Sequence, residues 1–128
     1  SRSTEVCGAE PAGFDETRRS RESGQRETID KDARSSCDAL LTPVPGVLTW
    51  PINSKTLSGI VAVTDAEVAE AMRYAFSVLK LVVEPGGCVA LTAALTGKVD
   101  LKGKTAAIVL SGGNVDPGLF ARVLRGEI

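Results

Sequence analysis

Gly59-Ile60-Val61-Ala62-Val63-Thr64-Asp65-Ala66-Glu67, residues 59–67, holds two structural signals in one short stretch. Ile60 to Val63 is an unbroken run of apolar, mostly β-branched residues, the mark of a strand buried on both faces rather than one that alternates. Thr64 and Glu67 then stand three apart, the spacing of a capping box, in which each side chain satisfies a backbone N–H at a helix start. A strand therefore feeds straight into a helix, the repeating step of an α/β fold.

Downstream, Val68, Met72, Phe76 and Leu79 recur at intervals of three or four and predict one buried helical stripe, with Glu67, Glu70, Arg73 and Ser77 on other faces. Leu79-Lys80-Leu81-Val82-Val83 is apolar all round and predicts deep burial. Glu84-Pro85-Gly86-Gly87 interrupts the pattern, which resumes as an apolar helix over Cys88 to Leu95. Lys98 to Lys104 is a polar link. Ala106-Ala107-Ile108-Val109-Leu110 reads as another buried strand, ending in Ser111-Gly112-Gly113-Asn114, and Asp116-Pro117 opens a last helix with Asp as N-cap and Pro at the first turn.

Upstream, Thr4-Glu5-Val6-Cys7-Gly8-Ala9 is strand-like and ends near Glu10-Pro11, and Phe14 to Gln25 is helix-competent, with Asp15 and Glu16 early and arginines later, as the helix dipole favours. Interleaved Glu16, Glu22 and Glu27 offset Arg18, Arg19 and Arg21, so that helix reads as a solvated face rather than a phosphate site. Residues 43–51 hold three of the six prolines and predict a structured loop around the single tryptophan. Three strands alternating with helices predict an α/β fold with a parallel sheet in three layers. Three strands are few for such a sheet, so further strands or an oligomer are expected to complete it.

Composition narrows the function. The 128 residues carry 15 Lys+Arg against 16 Asp+Glu and no histidine, which removes the usual metal ligand and general base and provides no basic field for nucleic acid or anionic lipid. Of the 31 charged side chains, 16 lie in residues 1–38, so the remainder is core-like. Cys7, Cys37 and Cys88 are odd in number and far apart, which fits a reducing, cytoplasmic compartment. Ser1 to Glu5 lack the apolar stretch of a signal peptide and no apolar run reaches membrane-spanning length, so neither secretion nor a membrane is expected. The only methionine is Met72, and a chain that opens at Ser1 in a strand-like run is expected to be a piece of a longer one.

Three groups of residues are candidates for chemistry. Ser111-Gly112-Gly113-Asn114 stands at the carboxyl end of a strand, where ligands bind in open α/β sheets; a tight turn without a ligand explains the same spacing. It is neither a P-loop nor a GxGxxG turn. Glu84 is a carboxylate in an apolar setting, either part of a site or a hydrogen-bond acceptor for the first amides of the helix that follows. Glu10, Asp15 and Glu16 offer oxygen to a hard cation such as magnesium or calcium, or serve as helix-start caps.

The pairing of Leu81-Val82-Val83-Glu84-Pro85-Gly86-Gly87 with Ile108-Val109-Leu110-Ser111-Gly112-Gly113-Asn114 resembles the C-terminal part of the threonine/serine dehydratases. These are pyridoxal-phosphate (PLP) enzymes of fold type II, the tryptophan-synthase-β fold, with serine racemase as a relative. Ala9-Glu10-Pro11, Ser36-Cys37-Asp38-Ala39-Leu40, Leu48-Thr49-Trp50-Pro51-Ile52 and Val63-Thr64-Asp65-Ala66-Glu67-Val68 fall in the same order, so the resemblance spans the chain.

The resemblance implies that Ser111 hydrogen-bonds the pyridine nitrogen of PLP, that Gly112 and Gly113 shape the turn beside the ring, and that Glu84 is the acidic residue near the cofactor. It implies a divalent cation held by Glu10, the Phe14 carbonyl and Glu16, with Glu16 where the family has Asp; Ala39 stands where many members have Gly. It also implies residues 1–128 as a C-terminal segment of the large domain, without a regulatory domain. The family's Schiff-base lysine segment, substrate-carboxylate loop and phosphate cup are not in this sequence, so no residue here is assigned as catalytic. The expected function is a threonine/serine ammonia-lyase, turning a hydroxy amino acid into a 2-oxo acid and ammonia. The chain would be inactive alone, and its partners would be the N-terminal half of the enzyme, a small amino-acid substrate and further copies in a homo-oligomer. The alternative is a non-catalytic α/β module acting as a binding or assembly partner.

Overall fold

The computed structural model describes residues 4–128, so Ser1 to Ser3 of the N-terminal stretch discussed above lie outside it. Strand β1 (Cys7–Pro11) and strand β2 (Gly59–Val63) pair in parallel, with Cys7 opposite Gly59 and Pro11 opposite Val63. Helix α1 (Glu16–Ser23) follows β1, and α2 (Trp50–Thr56) precedes β2. Helix α3 (Asp65–Tyr74) leaves β2 through the expected capping box: the Glu67 N–H donates to Thr64 Oγ1 and the Thr64 N–H donates to Glu67 Oε2. Helices α4 (Pro85–Leu95) and α5 (Pro117–Leu124) complete the chain, the latter capped by Asp116, which accepts from the Leu119 N–H at 2.8 Å.

Helix α4 packs against α3 and both strands, and α1 packs against β2. The core lies where these elements meet, around Val63, Val68, Met72, Cys88, Leu91 and Val123. No helix among the described residues is long and apolar enough to cross a membrane.

Four sequence expectations need correction. Residues 106–110 form neither strand nor helix, and Val109 is 73% exposed, so among the described residues the parallel sheet has two strands rather than three. An apolar run becomes a ladder only beside a neighbour with free N–H and C=O groups, and here none adjoins it.

The helical stripe also stops early. Val68 and Met72 are buried, but residues 75–79 open into a single π turn closed by Lys80 in the left-handed conformation (φ 62°). The wider turn rotates Phe76 and Leu79 off the stripe, leaving them exposed. The deep burial expected for residues 79–83 holds only for Val83; Leu79, Leu81 and Val82 face outward. Finally, α2 starts inside the proline-rich stretch, because Pro51 falls in its first turn, where a missing N–H costs nothing.

Candidate cofactor and cation sites

The turn that opens α4 and the turn that precedes α5 meet backbone to backbone. The Glu84 N–H donates to the Gly112 carbonyl at 3.0 Å, and the Asn114 N–H donates back to Glu84 Oε2 at 2.9 Å. Two glycines make this close approach possible. A Cβ on Gly87 would stand 2.7 Å from the Gly112 carbonyl oxygen, and one on Gly112 would stand 2.6 Å from Glu84 Oε1. Gly113 lies exposed beside the Val82 carbonyl, and Ser111 is exposed at the end of the 106–110 run. Ser111, Gly112, Gly113 and Glu84 are therefore brought together at one place.

Glu84 does not bond the amides of α4. It is the residue that precedes the helix, but its carboxylate reaches sideways to the Gly112–Asn114 turn instead. Pro85 in the first turn removes one of the N–H groups it could have served. The start of α4 is itself buried, Pro85 to Val89 all being enclosed. Cys88 is fully buried and burial pushes its thiol up to about 11, which suits a small packing residue and not a nucleophile.

The acidic cluster is built differently. Glu10, near the end of β1, reaches forward to α1, where its Oε1 and Oε2 accept from the N–H groups of Thr17 (3.2 Å) and Arg18 (3.0 Å). Asp15, 5% exposed, is paired with Arg18, which also bonds Glu22 at 2.7 Å. The arginine cluster on α1 is thus partly engaged on its own helix.

Glu16 is 7% exposed, and its Oε2 is buried without a hydrogen-bond partner. Burial pushes its carboxyl up to about 7, a backbone hydrogen bond pulls it down, and the charges of Glu10 and Asp15 raise it further. Such an orphaned acceptor beside two other carboxylates is the chemistry a bound cation would satisfy. Among the described residues no group of three or more His, Cys, Asp or Glu side chains forms a metal shell.

A two-strand parallel α/β unit with paired glycine turns at the carboxyl side of an apolar run has the architecture of the fold type II PLP enzymes. Comparison with known proteins bears this out: the sequence model of the pyridoxal-phosphate dependent enzymes matches residues 1–112, and the chain belongs to that family. It is 36% identical over 121 residues to L-threo-3-hydroxyaspartate ammonia-lyase of a Pseudomonas species, covering 94% of this chain and 38% of that protein. It is 38% identical over 125 residues to serine racemase of Dictyostelium discoideum, covering 93% of this chain and 37% of the other. Among solved structures, a threonine deaminase from T.th. superposes with a TM-score of 0.81 at 36% identity, over 91% of this chain and 39% of that one. The chain thus spans under two-fifths of the length of these relatives.

The residues that spacing misses are the partners rather than the candidates. Asn114 is legible in the sequence only as the end of the glycine motif, and nothing in its spacing signals that its amide holds Glu84.

Proposed function

We propose that this chain supplies the ring-nitrogen side of the cofactor pocket of a PLP-dependent threonine/serine ammonia-lyase. The observation that carries this is the interlocked pair of turns, in which Gly87 and Gly112 meet the Glu84 carboxylate with Ser111 next in sequence, in a chain of this family. When bound, PLP delocalises the electron pair left at the substrate α-carbon. Ser111 would hold the pyridine nitrogen through a neutral hydroxyl, which leaves that nitrogen largely unprotonated and limits how strongly the ring draws electrons. Gly87 and Gly112 let the two backbones approach closely, Glu84 fixes the turn through the Asn114 amide, and this turn would border the bound cofactor.

In this reading residues 1–128 are a C-terminal segment of the large domain. The lysine-bearing and phosphate-binding parts come from the rest of the family's fold, and the hydroxy amino acid is their substrate. The similarity to ammonia-lyases, a dehydratase and racemases, over under two-fifths of their length, supports it. So do the exposed apolar side chains along residues 76–82 and at Val109, which further protein could cover. Glu10, the Phe14 carbonyl and Glu16 would hold a magnesium or calcium ion. The oxygens of Glu10 keep a second lone pair each beside their N–H bonds, and the unpartnered Glu16 oxygen is the observation in favour.

The test is the visible spectrum of the protein isolated from its source, with and without Ser111→Ala. A cofactor band in the parent, with affinity for PLP about tenfold weaker and an altered pH dependence of the band in the variant, is the expected result. A parent without cofactor, or a variant indistinguishable from it, would sink the reading.

A further inference from the structure

Asp65 begins α3, yet the helix is capped by Thr64 and Glu67, and the Asp65 carboxylate points elsewhere. Its Oδ1 accepts from the Ser35 hydroxyl and its Oδ2 from the Ser36 N–H, both at 2.7 Å, across 29 or 30 residues of sequence. The Ser35 oxygen accepts in turn from the Cys37 N–H at 3.1 Å, and the Cys37 carbonyl accepts from the Leu40 N–H at 2.8 Å, closing the 3-10 turn Asp38–Leu40. That turn abuts the start of α4: a Cβ on Gly86 would stand 3.3 Å from the Ala39 Cβ and 3.4 Å from Leu40 Cγ. Beneath it Cys37 and Cys88, each fully buried, share one core cluster.

From this geometry we propose that Asp65 is a positioning residue, a latch that holds residues 35–40 against Gly86 and so fixes one wall of the Gly86–Gly87 turn. A carboxylate that takes two short hydrogen bonds from one loop is held far more firmly than a surface ion pair. The rest of the 35–40 segment is anchored through the buried Cys37 and the packed Leu40, while Asp38 and Ala39 are exposed, so the Asp65 carboxylate is its polar tether to α3. Only the link from this wall to the cofactor rests on the proposed function; the latch itself does not.

The test uses the two buried thiols as reporters, in a Cys7→Ser background that removes the exposed one. Reaction of Cys37 and Cys88 with an aromatic disulfide reagent is expected to run at least about tenfold faster in Asp65→Asn, because the loop then opens at lower cost. Ser35→Ala, which leaves the charge at the helix start intact, is expected to shift the rate in the same direction by less. Glu67→Gln removes the other carboxylate of the same helix turn and is expected to leave the thiols closed. The latch is overturned if the thiols of Asp65→Asn or Ser35→Ala stay as slow as in the parent, or if Glu67→Gln opens them equally. Titration of the same variants with PLP separates the two readings. Weaker uptake in Asp65→Asn but not Glu67→Gln extends the latch to the cofactor, and unchanged uptake with open thiols confines it to the loop. The titration uses the protein as isolated from its source: a parent that takes up no PLP there overturns the cofactor reading, while the thiol rates still decide the latch.

Discussion

Strand β2 and residues 106–110 are both five-residue apolar runs, GIVAV and AAIVL, and they end in opposite situations. The first is paired along its length with β1 and ends in Val63, which is fully buried; the second has no strand beside it and leaves Val109 73% exposed. Residue type made both competent to be strands, and the neighbour decided which became one. The same division runs through the molecule: the β1, α1, α3 and α4 body is closed, whereas residues 76–82 and 106–114 present apolar side chains and backbone outward.

The hardest test of that contrast is a matched pair of charges. Val63→Asp is expected to cost more than about 4 kcal/mol, because it buries an unpaired carboxylate, whereas Val109→Asp is expected to stay within about 0.5 kcal/mol. Urea unfolding of the 128-residue chain measures both; equal losses would mean that 106–110 is as enclosed as β2.

A second test sharpens the closed side. The folded chain binds the Glu16 proton more tightly than the unfolded chain, with a carboxyl at about 7 against an ordinary 4.5. The stability this proton provides is therefore complete below about pH 4.5 and is lost as the pH rises towards 7. At about 1.36 kcal/mol per pKa unit the loss is at most about 3 to 4 kcal/mol. Thermal unfolding at a series of pH values should show that decline, and Glu16→Gln should flatten it. Added magnesium or calcium should restore stability at about pH 8 and do nothing at about pH 5, where the proton holds the site. A cation effect equal at both would contradict the assignment.

A smaller effect than that of Glu16 is expected where the two turns meet on the open side. Gly112→Ala places a methyl carbon where only 2.6 Å separates it from Glu84 Oε1, and the half-exposed carboxylate can swing aside at a cost of about 1–2 kcal/mol. Loss of the Asn114 amide's protection in hydrogen exchange would mark that displacement; unchanged protection would show that the turns are not interlocked in solution.

What the sequence makes legible follows the same line. Thr64 with Glu67, and Asp116 with Pro117, are local signals, and both caps stand as read. The Ile60–Val63 run and the apolar Cys88–Leu95 helix are also where their patterns put them. The third strand fails because pairing is not local, and the stripe through Phe76 and Leu79 fails because one widened turn shifts every later residue around the axis. At the candidate sites the residue types are legible, through EPGG and SGGN. The sideways reach of Glu84, and the forward reach of Glu10 to Thr17 and Arg18, depend on tertiary placement that spacing does not encode.

The register of the parallel pair has a consequence for how the chain is made. Cys7 must find Gly59, so β1 leaves the ribosome roughly fifty residues before its partner exists. At about 5–20 residues per second that is a wait of roughly 3–10 s before β2 is available to pair with it. Nucleation is therefore expected to fall to the contiguous β2–α3–α4 segment, whose contacts are close in sequence, with β1 added last at the entropic cost of closing a long loop.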